Sequence, residues 1–117
     1  MTGKKQYTFI DLFSGCGGMS LGFEMSGFKE LLAIDNWKDA LVTYEHNRND
    51  AHTLCADLSC LSPEDIKNQY NIDDVDVIIG GPPCQGFSLA GKRIIEDERN
   101  KLYKSFVNFV RCFRPKA

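Results

Sequence analysis

The chain has 117 residues and a formal net charge of −2, with 43% hydrophobic and 26% charged residues. That composition fits one folded domain with a genuine core and excludes a disordered chain; no apolar run approaches a membrane span. Charge is unevenly spread, with eight Lys/Arg against three Asp/Glu in residues 91–117 and six against thirteen in residues 1–90, whereas a domain that grips nucleic acid unaided is usually basic overall.

Met1-Thr2-Gly3-Lys4-Lys5 leads straight into a strand rather than a secretory signal, which places the protein inside the cell. Tyr7 to Leu12 is rich in β-formers and predicts the first strand, ending in the glycine cluster Ser14-Gly15-Cys16-Gly17-Gly18. A short helix follows through Met19, Leu21 and Met25, closed by Gly27. Lys29 to Asp35 predicts a second strand. Trp37, Ala40, Leu41 and Tyr44 recur at helical spacing and predict a second helix to His46. His52 to Asp57 fits a brief third strand. Ser62-Pro63-Glu64-Asp65 then supplies an N-cap, a proline in the first turn and acids beside it. Val75 to Ile79 predicts a buried fourth strand, stopped by Gly80-Gly81-Pro82-Pro83, and Asn100 to Phe113 an amphipathic helix halted by Pro115. In that helix Phe106, Phe109 and Phe113 read as core residues. Strands alternating with helices imply a parallel α/β sheet with right-handed crossovers. In such a series another strand should follow the last helix, so the sequence reads as cut off.

Pro82-Pro83-Cys84-Gln85-Gly86-Phe87-Ser88 carries the most chemistry. Two prolines fix φ ahead of Cys84 and would mount its thiol rigidly beyond the strand. Such a thiol is placed to act as a nucleophile, although a cysteine alone would as readily be a small packed loop residue. The other cysteines, Cys16, Cys55, Cys60 and Cys112, read as structural; no Cys-x-x-Cys pair exists, which argues against a zinc site or disulfide framework. His46 and His52 read as surface residues with no metal role. The glycine turn after the first strand lets a ligand approach the backbone, and N–H groups at the helix start could hold a carboxylate or phosphate. Asp35 ends the second strand roughly 20 residues on, where doubly wound folds place an acid on a ribose hydroxyl. Asp57 ends the third and is suited to accept from an exocyclic amine. Together these strand ends favour a nucleoside cofactor.

Asp11-Leu12-Phe13-Ser14-Gly15-Cys16-Gly17-Gly18, with Gly81-Pro82-Pro83-Cys84-Gln85-Gly86-Phe87-Ser88, resembles the DNA (cytosine-5)-methyltransferases, and Asp97 to Tyr103 is similar to that family's segment after the catalytic loop. The resemblance runs from Tyr7 to Lys116. It implies a Rossmann-like S-adenosylmethionine-dependent methyltransferase sheet, truncated after the fourth strand and its following helix, and a bacterial cytoplasmic or nucleoid-associated protein. It further implies that Phe13, Gly15, Gly17 and Gly18 wall the cofactor and that Asp35 holds the ribose. Asn36, Asp57 and Leu58 would meet the adenine, with Pro83 and Leu102 near the ring or sulfonium. Relatives often carry a proline or aromatic where this chain has Asn36, with Trp37 next to it. By the same resemblance Cys84 adds to C6 of a flipped cytosine, Gln85, Phe87 and Ser88 close over double-stranded DNA, and Lys92 and Arg93 approach phosphates.

The family's Glu-Asn-Val acid, Arg-x-Arg pair, target-recognition domain and C-terminal helix do not occur in the sequence. Residues 1–117 therefore read as the N-terminal part of a catalytic domain, inactive alone, needing a missing C-terminal half or complementing subunit. Its fourth strand would be left as an apolar edge open to self-association. Two other readings stay open: an RNA (tRNA) cytosine-5 methyltransferase of the same fold, and a non-catalytic cofactor-binding or assembly module.

Overall fold

Four of the apolar runs become strands: β1 (Thr8–Leu12), β2 (Lys29–Asp35), β3 (Thr53–Cys55) and β4 (Val77–Gly80). They form one parallel sheet in the order β3-β2-β1-β4. The structure is a computed structural model, and it describes residues 6–48, 50–81 and 100–117. The helices are α1 (Gly18–Met25), α2 (Lys38–His46), α3 (Pro63–Gln69) and α4 (Asn100–Phe113), with a 3-10 turn at Leu58–Cys60.

Alternation along β1 divides the core in two. Ile10 and Leu12, with Leu32 and Ile34 of β2, face a wholly apolar cluster that includes Leu58, Ile66, Phe109 and Phe113. Phe9 and Asp11 point the other way, where Phe9 packs on Phe23 of α1 with ring centroids 5.5 Å apart. Of the predicted aromatic face of α4, Phe109 and Phe113 are buried and stacked at 5.9 Å, and Phe106 packs half-buried against the same core. Ser62 caps α3 through Asp65 N–H, and Pro63 sits in its first turn, as the sequence requires.

Three expectations shift. Trp37 is not on the buried face of α2; it is the N-cap and 64% exposed, while Ala40, Leu41 and Tyr44 are buried. The third strand is short because Asp57 turns aside to cap the 3-10 turn. β4 begins at Val77 rather than Val75, since the Asp76 side chain is drawn to β1, accepting from Thr8 N–H at 2.9 Å and Thr8 Oγ1 at 3.3 Å.

The fourth strand is last in the sheet order but is not a bare apolar edge. Ile78 N–H donates to Ala117 O at 3.0 Å, and Lys116 and Ala117 N–H both donate to Asp76 O, at 2.9 and 3.1 Å. Ile78 and Ile79 are buried. The expected open edge at residues 75–79 is thus already engaged along its first half by the segment that follows α4.

Gly80, at the exit of β4, is demanded by proximity. A Cβ there would stand 2.1 Å from the Leu12 carbonyl oxygen and 3.1 Å from the Phe106 ring.

Candidate functional site

With β1 at the centre, the chain winds outward through β2 and β3 on one side and reaches β4 on the other. Ligands of open α/β sheets bind in the crevice at the C-terminal strand ends where that reversal occurs. A cavity of about 250 Å³ lies here, lined by Phe13, Asp35, Asn36, Ala56, Asp57, Leu58, Gly81 and Leu102. Its walls pair apolar surface with two carboxylates, a donor set suited to a nucleoside: flat apolar contact for a base and acceptors for hydroxyl or amine hydrogens.

Each wall has a local cause. Phe13 takes a left-handed backbone, φ 62°, as β1 turns into the glycine cluster; that region is uncommon for a bulky residue. Asp35 holds the turn from beneath: its Oδ2 accepts from Gly15 N–H at 2.6 Å and its Oδ1 from Trp37 N–H at 3.0 Å. Both oxygens retain acceptor capacity, since each carries two lone pairs. Asp57 accepts from Ser59 Oγ at 2.7 Å and Ser59 N–H at 2.9 Å, both through Oδ1. Those bonds hold its carboxyl below the usual range, so it is anionic at neutral pH.

Gly17 is the N-cap of α1, at φ 96°, with no side-chain cap over the first-turn N–H groups. A Cβ on Gly17 would lie 2.5 Å from the Tyr44 ring and 2.7 Å from Arg48 Nη2. Behind the turn runs a buried polar chain. Asp11 Oδ2 lies 2.5 Å from Ser20 Oγ, and Ser20 Oγ lies 3.1 Å from the Tyr44 hydroxyl, which also bonds Glu30 Oε2. Glu30 Oε1 accepts from His52 N–H at 2.8 Å and meets His52 Nδ1 at 3.2 Å.

Counting protons constrains this chain. Three oxygen–oxygen links join Asp11, Ser20, Tyr44 and Glu30, yet the two hydroxyls bring only two hydrogens. Ser20 Oγ donates to Asp11 Oδ2, and the single Tyr44 hydrogen is shared between Ser20 Oγ and Glu30 Oε2. Burial pushes the Asp11 carboxyl up to about 6, against a lowering pull from the bond that Ser20 donates. Burial, then the bond to Glu30, push the Tyr44 phenol upward too, so it keeps its hydrogen.

Of the residues expected at the site, Phe13, Asp35, Asn36, Asp57, Leu58 and Leu102 line this cavity together. Gly15, Gly17 and Gly18 form the turn beside it without lining it. Pro83, Cys84, Gln85, Phe87, Ser88, Lys92 and Arg93 lie outside the described residues. Trp37 does not line the cavity. Cys16, Cys55 and Cys60 are exposed rather than packed, because none faces the core. His52 is half-exposed but engages buried Glu30, which a surface reading missed. Sequence reasoning also missed Ala56 and Gly81 as walls, and Ser20, Tyr44 and Arg48 as the polar backing. Among the described residues no helix is long and apolar enough to cross a membrane, and no group of three or more His, Cys, Asp or Glu residues could hold a metal ion.

The family model described as C-5 cytosine-specific DNA methylase matches residues 7–117. Type II methyltransferase M.DdeI of Desulfomicrobium norvegicum is 50% identical over 107 residues, covering 92% of this chain and 25% of that protein. Type II methyltransferase M1.HphI of Haemophilus parahaemolyticus is 47% identical over 112 residues, covering 93% of this chain and 30% of that protein. The chain thus spans a quarter to a third of the length of these relatives. Among solved structures, a DNA modification methyltransferase encoded within an E. coli prophage superimposes with a TM-score of 0.80 at 40% identity, covering 94% of this chain and 30% of that one. A Spodoptera frugiperda DNMT2 variant gives 0.64 at 30% identity, covering 90% of this chain and 31% of that one.

Proposed function

The chain belongs to the C-5 cytosine-specific DNA methylase family, and from that premise we propose that it forms the cofactor-binding and nucleophile-bearing part of an enzyme that methylates C5 of cytosine in DNA. The observation that carries this reading is the cavity at the strand ends, where Asp35 and Asp57 face Phe13, Leu58 and Leu102. That set fits S-adenosylmethionine, with Asp35 on the ribose hydroxyls, Asn36, Asp57 and Leu58 at the adenine, and Pro83 and Leu102 near the sulfonium. The N–H groups of the glycine turn, from Gly15 to Gly18, would receive its amino-acid end. When bound, the cofactor supplies a methyl group on an activated sulfonium.

The chain's own contribution to the chemistry is Cys84. It follows the cavity-lining Gly81 by three residues, so covalent geometry keeps the two Cα atoms within about 11 Å. Cytosine C5 is a poor nucleophile. A thiolate adding to C6 makes the ring an enamine whose C5 can take up the methyl group; a base then removes the C5 proton, and the C6–sulfur bond breaks to release the thiolate. The base must be turned out of the duplex to meet the thiol, with Gln85, Phe87 and Ser88 closing over it and Lys92 and Arg93 near phosphates. Turnover needs an acid at cytosine N3 and a recognition surface, which this span does not supply; those fall to the rest of the enzyme or to a complementing chain.

The test is methyl transfer from isotopically labelled S-adenosylmethionine to duplex DNA and to tRNA by the full-length protein, beside Cys84→Ser. Label in DNA, lost in the variant, is expected. Label confined to tRNA would move the substrate to RNA, and cofactor binding without transfer to either would leave only a binding module.

A further inference from the structure

Arg48 plays no part in that chemistry, yet its guanidinium is engaged on every nitrogen. Its side chain is only 7% exposed. Nε donates to Glu24 Oε1 at 2.8 Å, Nη1 to Tyr44 O at 2.9 Å and Nη2 to Gly17 O at 2.9 Å. The guanidinium also lies over the Tyr44 ring, 3.6 Å from its centroid. One side chain thereby joins α1 through Glu24, α2 through Tyr44, and the glycine turn through Gly17.

The charge placement distinguishes this from ordinary packing. Gly17 is the N-cap of α1, and its carbonyl also accepts the helix's first bond, from Leu21 N–H at 2.9 Å. A helix N-terminus already carries positive partial charge, so a cation beside it is unfavourable unless an anion is present. Glu24 offsets part of that charge, but at 30% side-chain exposure it is partly solvated. Buried Arg48 therefore places its charge, shared with Glu24 and felt by Asp11, behind the first turn of α1 while fixing the carbonyl that sets the turn's orientation. Gly15, two residues earlier, is anchored separately on Asp35 of the cavity by a 2.6 Å bond, so the nucleoside end keeps its own support when the Gly17 end is loosened.

Building on the proposed function, we infer that Arg48 is a positioning residue for the amino-acid end of the cofactor: it holds the Gly17 turn in its left-handed form and keeps the α1 N-terminus attractive to a carboxylate. It touches the turn, not the ligand.

The experiment compares two ligands on the full-length protein by calorimetry. S-Adenosylhomocysteine carries the nucleoside and the amino-acid end; 5′-methylthioadenosine carries the nucleoside alone. Arg48→Met should weaken S-adenosylhomocysteine roughly tenfold, the scale of one hydrogen bond to a charged group, while 5′-methylthioadenosine stays within about twofold. Arg48→Lys, which keeps the charge but lacks the three-way fork, should recover part of the loss, and it serves alone if Arg48→Met does not fold. In turnover, KM for S-adenosylmethionine should rise with kcat little changed. Equal weakening of both ligands, or an unaltered ratio beside a lower melting temperature, would reduce Arg48 to a structural strut. Wild-type protein that binds neither ligand would overturn the cofactor reading itself, an outcome distinct from either.

Discussion

Replacing Asp11 with asparagine should make the protein more stable at neutral pH, by an amount that vanishes in acid. Asp11 is buried on β1 against Ser20, and its carboxyl is pushed up to about 6 from an ordinary 3.8, chiefly by burial. The folded protein therefore keeps a proton that the unfolded chain releases as pH climbs between those values. For an acid whose folded value is raised, stability is highest below the unfolded value and is lost as pH rises through the folded one. A difference of about two units corresponds to about 3 kcal/mol of lost stability once Asp11 is ionised. Asparagine is never charged, and its Oδ1 can still accept from the Ser20 hydroxyl. Urea unfolding of wild type and Asp11→Asn, followed by far-ultraviolet circular dichroism from pH 4 to pH 8, reads the difference directly. The variant should gain up to about 3 kcal/mol over wild type at pH 7.5 and converge with it near pH 4. Parallel profiles, or an Asp11→Asn protein less stable at pH 7.5, would refute the assignment of this cost to burial of the Asp11 carboxylate.

Gly17→Ala should cost about 1–2 kcal/mol for the left-handed backbone alone and more for the 2.5 Å approach of its Cβ to the Tyr44 ring. Gly15→Ala shares the positive φ but meets nothing within 4 Å, so thermal unfolding should rank Gly17→Ala well below it; equal losses would show that packing behind the turn is looser than described. Asp35→Ala removes both the expected ribose acceptor and the bonds to Gly15 and Trp37 N–H. Calorimetry with S-adenosylmethionine should show at least roughly tenfold weaker binding, and an unchanged affinity would take Asp35 out of the site.

The sheet and most cavity walls were legible because both follow from local signals. Asp35, Asp57, Phe13 and Leu58 sit at or just beyond strand ends, and strand ends are readable from apolar runs and glycines. Trp37 shows where such reading slips: helical spacing assigned it to the buried face of α2, but the helix begins one residue later and leaves it in solvent. The polar backing was not legible at all. Tyr44 registered only as an apolar position, since periodicity reports the ring and is blind to the hydroxyl. Arg48 lies just beyond α2, where no spacing rule applies, and its partners are 4, 24 and 31 residues away. Glu30 sits beside Lys29 at the start of β2, ahead of the apolar run Leu31 to Ile34, so nothing local marked it as a buried charge.

The two faces of the sheet imply different freedoms for sequence change. Where Ile10, Leu12, Leu32 and Ile34 meet α4, side chains interact only through shape and volume, and volume-conserving exchanges at one position are absorbed by neighbours at small cost. On the opposite face each oxygen of Asp11, Ser20, Tyr44 and Glu30 depends on the next for its hydrogen, so losing any one strands a buried partner. Lineages descended from this chain should wander position by position on the first face. On the second, single exchanges should survive only where the new side chain keeps a hydrogen-bonding atom in place, as Asp11→Asn does.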